Sequence, residues 1–208
     1  MAEYIIQDTT LIGIADSIRA KTGKTDSIPV PDMRSQIDSI PSGGDDEAMK
    51  SLIDRSITSV EIPSGITTIG WGAFQACTKL TTVVIPKGIQ KLDTNSFSGC
   101  NSLETVDLPN TLLDIWNNAF SGCSKIASII IPANLNNLYY GAFQSCTGLT
   151  CVTFKGTPKF VASSVFNRCT NLTIINVPWA EGEVANAPWG ATNATINYNY
   201  TEVAENAD

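Results

Sequence analysis

Five of the chain's six cysteines stand 23 residues apart, at Cys77, Cys100, Cys123, Cys146 and Cys169. Five phenylalanines keep the same beat three residues earlier, at Phe74, Phe97, Phe120, Phe143 and Phe166. Two independent columns in one register restrict this part of the chain to a stack of equivalent coils, since a fixed period of about 20 to 50 residues is the mark of a solenoid.

Aliphatic residues fill the rest of the unit. One column is Ile57, Leu80, Leu103, Ile126, Leu149 and Leu172; three residues on comes Val60, Val83, Val106, Ile129, Val152 and Ile175. Two further on stand Ile62, Ile85, Leu108, Ile131, Phe154 and Val177, mostly followed by proline. The two-residue spacing within Ser59-Val60-Glu61-Ile62 is β periodicity, with alternate side chains inward. Proline then ends the strand because it brings no N–H to the ladder. Further columns run through Ile66, Ile89, Leu112 and Leu135, and through Ile69, Leu92, Ile115, Leu138 and Val161. Ala73 to Cys77 reads as one helical turn, held by packing Phe74 and Cys77 inward. A single coil cannot bury its apolar side; stacking at about 4.8 Å per coil turns five repeats into a rod roughly 25 Å long. Lys155-Gly156-Thr157-Pro158 replaces the usual apolar-proline turn, and a local distortion is expected there.

The unit Leu80-Thr-Thr-Val83-Val-Ile85-Pro86, continued by Ile89, Leu92, Phe97 and Cys100, resembles the BspA-like (Treponema pallidum-type) leucine-rich repeat. The resemblance spans residues 57 to 178 as five repeats and a partial sixth. It implies a leucine-rich repeat solenoid, mainly β with short helical turns. It also implies recognition of proteins or cell-surface components, with no catalytic centre.

Residues 1 to 45 stand outside the repeat and read as a small α-helical module. Asp8-Thr9-Thr10 can cap a helix carrying Leu11, Ile14 and Ile18, with Gly23 at its end. Pro31 suits the first turn of a second helix through Met33 and Ile37. These five apolar residues form a candidate assembly face, too small a core to stand alone. The run Leu11-Ile-Gly-Ile-Ala-Asp-Ser-Ile-Arg-Ala-Lys-Thr-Gly23, followed by Ile28-Pro-Val-Pro-Asp-Met33 and Ile37-Asp-Ser-Ile40, resembles a module of tail-associated and prophage-encoded proteins of phages of Gram-positive hosts. That resemblance implies docking to phage structural proteins, or to further copies of the chain, and a place in the virion. An unspecialised amphipathic hairpin has the same apolar spacing. Display on a bacterial cell surface is the alternative location. Residues 46 to 56 are expected to cap the first coil as a helix, and residues 179 to 208 to close the last one with Trp179, Trp189, Ile196 and Tyr198 before an acidic tail.

Composition narrows the chemistry. The chain has no histidine, which removes the commonest general base and metal ligand. Its formal charge of −7 gives no electrostatic footprint for nucleic acid. No apolar run reaches the about 18 residues of a membrane span. Met1-Ala-Glu-Tyr-Ile-Ile lacks a basic n-region and an apolar h-region, so no secretory signal is expected in it. The carboxylates show no repeat-to-repeat convergence that would make an acid–base site. No catalytic residue, cofactor or metal is expected.

The cysteine column has two readings. Stacked neighbours at about 5 Å lie within disulfide reach, but five equivalent thiols cannot all pair and the spacing fits no zinc signature. Small, buried, reduced filler is the reading favoured here. Cys151 falls on the outward parity of its strand and is expected as an exposed thiol. The outward strand columns are Ser59, Thr82, Thr105, Ser128, Cys151, Ile174 and Glu61, Val84, Asp107, Ile130, Thr153, Asn176. Just after the Ile69 column the chain places Trp71, Trp116, Tyr139 and Tyr140 where the pattern demands nothing apolar. These rings form either an exposed ridge that takes a host-surface protein or glycan, or an aromatic ladder packed along the stack.

Overall fold

The computed structural model describes residues 55–62 and 65–201. Twelve short strands, numbered in chain order, line two walls of a parallel stack. The longer strands are β1 (Ser59–Glu61), β3 (Thr82–Val84), β5 (Thr105–Asp107), β7 (Ser128–Ile131), β9 (Cys151–Phe154), β11 (Ile174–Asn176) and β12 (Thr195–Asn197). They form a three-stranded sheet, β1-β3-β5, and a four-stranded one, β7-β9-β11-β12. The second wall is a single sheet of two-residue strands: β2 (Thr68–Ile69), β4 (Lys91–Leu92), β6 (Asp114–Ile115), β8 (Asn137–Leu138) and β10 (Phe160–Val161). Within each sheet of the repeats a strand pairs with its equivalent in the next coil, as in Val60↔Val83 and Leu92↔Ile115, so the 23-residue period of the sequence becomes the register; only between β5 and β7 does the wall of longer strands break.

The inward columns meet in one continuous core. Leu80, Leu103, Ile126, Leu149 and Leu172 are fully buried, as are Leu92, Ile115 and Leu138. The phenylalanines stack ring on ring, with centroids 5.1, 5.3, 5.2 and 6.0 Å apart from Phe74 to Phe166. Beyond the repeats, Trp179 and Trp189 are buried against Phe154, with centroids 5.2 and 5.8 Å away. Ile196 and Tyr198 pack half-buried on the same core.

The third side corrects the expectation of short helical turns: no helix occurs among the described residues. The reason lies in the backbone. Each of the first four turns holds two left-handed residues four apart, Gly72 and Ala76, Asn95 and Gly99, Asn118 and Gly122, Gly141 and Ser145, and the fifth keeps one, Arg168. Left-handed residues cannot continue a right-handed helix; here they accompany N–H groups that point along the rod. Phe74 N–H donates to the Ser96 carbonyl at 2.7 Å, Phe97 to Ala119 at 2.8 Å and Phe120 to Ala142 at 2.7 Å. The intervening N–H groups close tight turns within their own coil, such as Cys77 to the Phe74 carbonyl at 3.2 Å. Stacking therefore supplies partners that an isolated helix would have found internally.

The expected irregularity after β9 is a bend at Lys155-Gly156. A Cβ at Gly156 would collide with the backbone of Ala133 in the coil below, so only glycine permits this approach. Asn176 departs from its outward parity. It is buried because it donates to Thr153 Oγ1 at 3.2 Å and accepts from Asn197 Nδ2 at 2.8 Å, bridging three coils. The helices expected within residues 1 to 54 lie outside the described residues.

Candidate functional site

The wall of two-residue strands positions the aromatic residues. Strands β4, β6, β8 and β10 hold successive coils in register, so residues one or two beyond them stack along the rod. Trp116 and Tyr139 lie 5.2 Å apart at 42°, and Tyr139 lies 5.6 Å from Phe160. Both Trp116 and Tyr139 are half-buried. Trp71 and Tyr140 are different: 54% and 55% of their surfaces are exposed. The four rings thus divide, two into a ladder and two into open platforms three coils apart on the wall. Tyr140 also meets Phe160 edge-on at 6.3 Å.

Sequence reasoning missed the residues around these rings. Phe160 occupies a column that is otherwise polar, Thr68, Lys91, Asp114 and Asn137, and only that break in type signals it. Lys91 Nζ sits 4.2 Å from the Trp116 ring centroid and 2.9 Å from Asp93 Oδ2. A half-buried ammonium over an indole face contributes about 0.5–1 kcal/mol. Asn137 Nδ2 donates to Asp114 Oδ1 at 2.6 Å. The Trp116 indole N–H and Asn117 Oδ1 are buried without a protein partner.

The candidate assembly face of Leu11, Ile14, Ile18, Met33 and Ile37 lies outside the described residues. All six cysteines are free. Those of the column are buried, and four have a specific reason for their type: the thiols of Cys100, Cys123, Cys146 and Cys169 each donate to the carbonyl of a phenylalanine in the preceding coil at 3.0 to 3.2 Å. Valine would fill the space but not meet that carbonyl. Burial pushes the Cys77 thiol up to about 11 and Cys100 to about 12. Burial also holds Cys123 well above the ordinary range. At the end of the column the neighbouring thiols of Cys146 and Cys169 act on one another, which together with burial raises Cys146 and, against burial, lowers Cys169. Cys151, expected to be exposed, is half-buried, with Asn176 Nδ2 3.9 Å from its sulfur. Among the described residues no three His, Cys, Asp or Glu side chains are placed to hold a metal, and no helix is long and apolar enough to cross a membrane.

A stack of in-register coils with a strand on each of two walls and a phenylalanine spine is a leucine-rich repeat solenoid. The model of the BspA type leucine rich repeat region matches residues 49–173 in six copies, and the chain belongs to this family. Three solved structures are similar. A leucine-rich repeat protein from Bacteroides ovatus is 32% identical at a TM-score of 0.54, over 59% of this chain and 32% of that one. The T. pallidum leucine rich repeat protein is 29% identical at 0.55, over 59% of each chain. A leucine rich cell surface protein from Faecalibacterium prausnitzii is 25% identical at 0.57, over 60% of this chain and 33% of that one. The matched part is therefore less than two thirds of each of these proteins. No curated protein matches the chain. None of the matches indicates a catalytic family.

Proposed function

We propose that this chain is a non-catalytic recognition protein that presents its aromatic wall to a target on a bacterial surface. The observation that carries this reading is the pair of exposed rings, Trp71 and Tyr140, on a wall whose register is fixed by strand pairing. Rigid aromatic side chains offer large contact area at little entropy cost, which is why they dominate binding hot spots. Residues 1 to 45 attach the protein to phage structural proteins or to further copies of itself, so that the solenoid is displayed on a virion at the tail, baseplate or surface. The resemblance of residues 11 to 40 to phage tail-associated modules supports that location. A bacterial cell-surface adhesin is the second reading, favoured by the F. prausnitzii neighbour, itself described as a cell surface protein.

Deleting residues 1 to 45 separates these parts. The truncated chain should fold, keep target binding and disappear from purified phage particles, as read by immunoblotting of the particles. Normal incorporation of the truncated chain would refute the anchor role. Detection of the full chain on bacterial cells and never on particles would establish the second reading.

A further inference from the structure

Beside the aromatic rings runs a column that the repeat leaves polar. In-register pairing places Lys91, Asp114, Asn137 and Phe160 rung on rung along β4, β6, β8 and β10, each half-buried. These groups are held in place: Lys91 by Asp93 and the Trp116 face, Asp114 by the amide of Asn137. Ring surface thus alternates with ammonium, carboxylate and carboxamide groups whose positions strand pairing has already fixed.

The chemistry of this wall selects a ligand class. Its apolar surface is aromatic, whereas the exposed aliphatic side chains, Val84, Ile130 and Ile174, lie on the wall of longer strands. A pyranose ring has an apolar C–H face that lies on tyrosine or tryptophan, and a rim of hydroxyls that both donate and accept. Carboxylate and carboxamide groups pair with adjacent hydroxyls, and hydrogen bonds to charged groups are the strong ones. Holding them ready lowers the cost of ordering on binding. Charge sets the kind of sugar. On this wall Lys91 and Lys159 balance Asp93 and Asp114, and residues 55–201 carry eight lysines and arginines against seven aspartates and glutamates, so no marked excess of positive charge draws uronate or phosphate polymers. Trp71 and Tyr140 stand three coils apart, about 14 Å at the strand spacing of about 4.8 Å, a span that suits an oligosaccharide.

We infer that this wall binds a neutral oligosaccharide, with Trp71 and Tyr140 as stacking platforms and Asp114 and Asn137 as hydroxyl partners. The inference rests on the recognition reading above and names its ligand.

The full chain should be applied to an array of neutral and anionic oligosaccharides of matched length. Neutral sugars should bind; Trp71→Ala and Tyr140→Ala should each weaken binding about tenfold, while Tyr140→Phe stays within about threefold. Asp114→Ala should weaken binding with the thermal midpoint kept within about 3 °C. No binding on the array, or binding of anionic sugars alone, overturns the inference. Adhesion of the full chain to bacterial cells then distinguishes it from the wider reading. Loss after periodate, which cleaves vicinal diols, with survival after protease supports a glycan. Loss after protease alone makes the target a protein, overturning the inference while recognition stands. Absence of adhesion to untreated cells refutes the recognition reading, leaving the array to decide the sugar.

Discussion

Replacing Phe120 with alanine tests the ring stack at its centre. Phe120 is fully buried and lies nearly parallel to both neighbours, Phe97 at 5.3 Å and 3° and Phe143 at 5.2 Å and 7°. Truncating a buried phenylalanine costs about 3–5 kcal/mol through lost transfer energy and the cavity left behind. Each ring pair adds about 0.5–1.5 kcal/mol beyond area. Phe74 has a single ring neighbour among the described residues, Phe97 at 5.1 Å. Phe74→Ala should therefore cost less than Phe120→Ala by one ring pair, about 0.5–1.5 kcal/mol. Guanidinium unfolding followed by circular dichroism measures both variants, and Phe120→Leu, which keeps most of the volume, should fall between wild type and alanine. Equal costs for the two alanine variants would show that ring-on-ring contact contributes nothing beyond burial. That result would refute the stack as a source of stability.

Other expectations concern single polar groups. The Ser96 hydroxyl is fully buried without a partner, and the equivalent positions in neighbouring coils are Ala73 and Ala119; Ser96→Ala should stabilise the fold by about 1 kcal/mol in the same unfolding assay. Free thiols ionise near the ordinary value of 9.0, whereas folded Cys77 keeps its proton to about 11 and Cys100 to about 12. The unfolded chain thus binds fewer protons between these values, so the thiol contribution is complete below pH 9 and is lost as pH rises toward 11–12. The unfolding midpoint should fall through that window, and Cys100→Ala should flatten the slope; an unchanged slope would refute the coupling. Thiol labelling of native protein should reach half-buried Cys151 first and the five column cysteines only on unfolding; rapid labelling of several would contradict their burial.

The sequence made the columns legible because periodic burial writes one residue type at one interval. Strand positions followed from the Val60–Ile62 alternation and from the prolines that end it. The third side was harder to read. Its left-handed residues include Ala76, Ser145 and Arg168, types that carry no such signal, so Ala73 to Cys77 resembled a helical turn. The cysteines read as filler because a thiol donating to a phenylalanine carbonyl 26 residues away leaves no local trace. For the aromatic wall, the spacing showed that rings recur but not how they share space. Trp116 and Tyr139 lean on one another, while Trp71 has Thr94 rather than a ring one coil on and Tyr140 has Asn117 and Ser163 on either side. Lys91, Asp114 and Asn137 escaped notice because polar residues on a short strand read as ordinary solvated surface.

A rod built by repeating one register has no natural length, because every finished coil is a template for another. In this protein the template is withdrawn at one end. Trp179 and Trp189 fold over Phe154, β12 takes the last place beside β11, and the backbone turns back through Asn199 and Tyr200 to bond Trp179 and Val177. These contacts cover the apolar interior of the last repeat, the surface on which a further coil would pack its own core. The closing tryptophans thus act as a terminator in the polymer sense, sealing the apolar interior of a one-dimensional stack behind the last repeat.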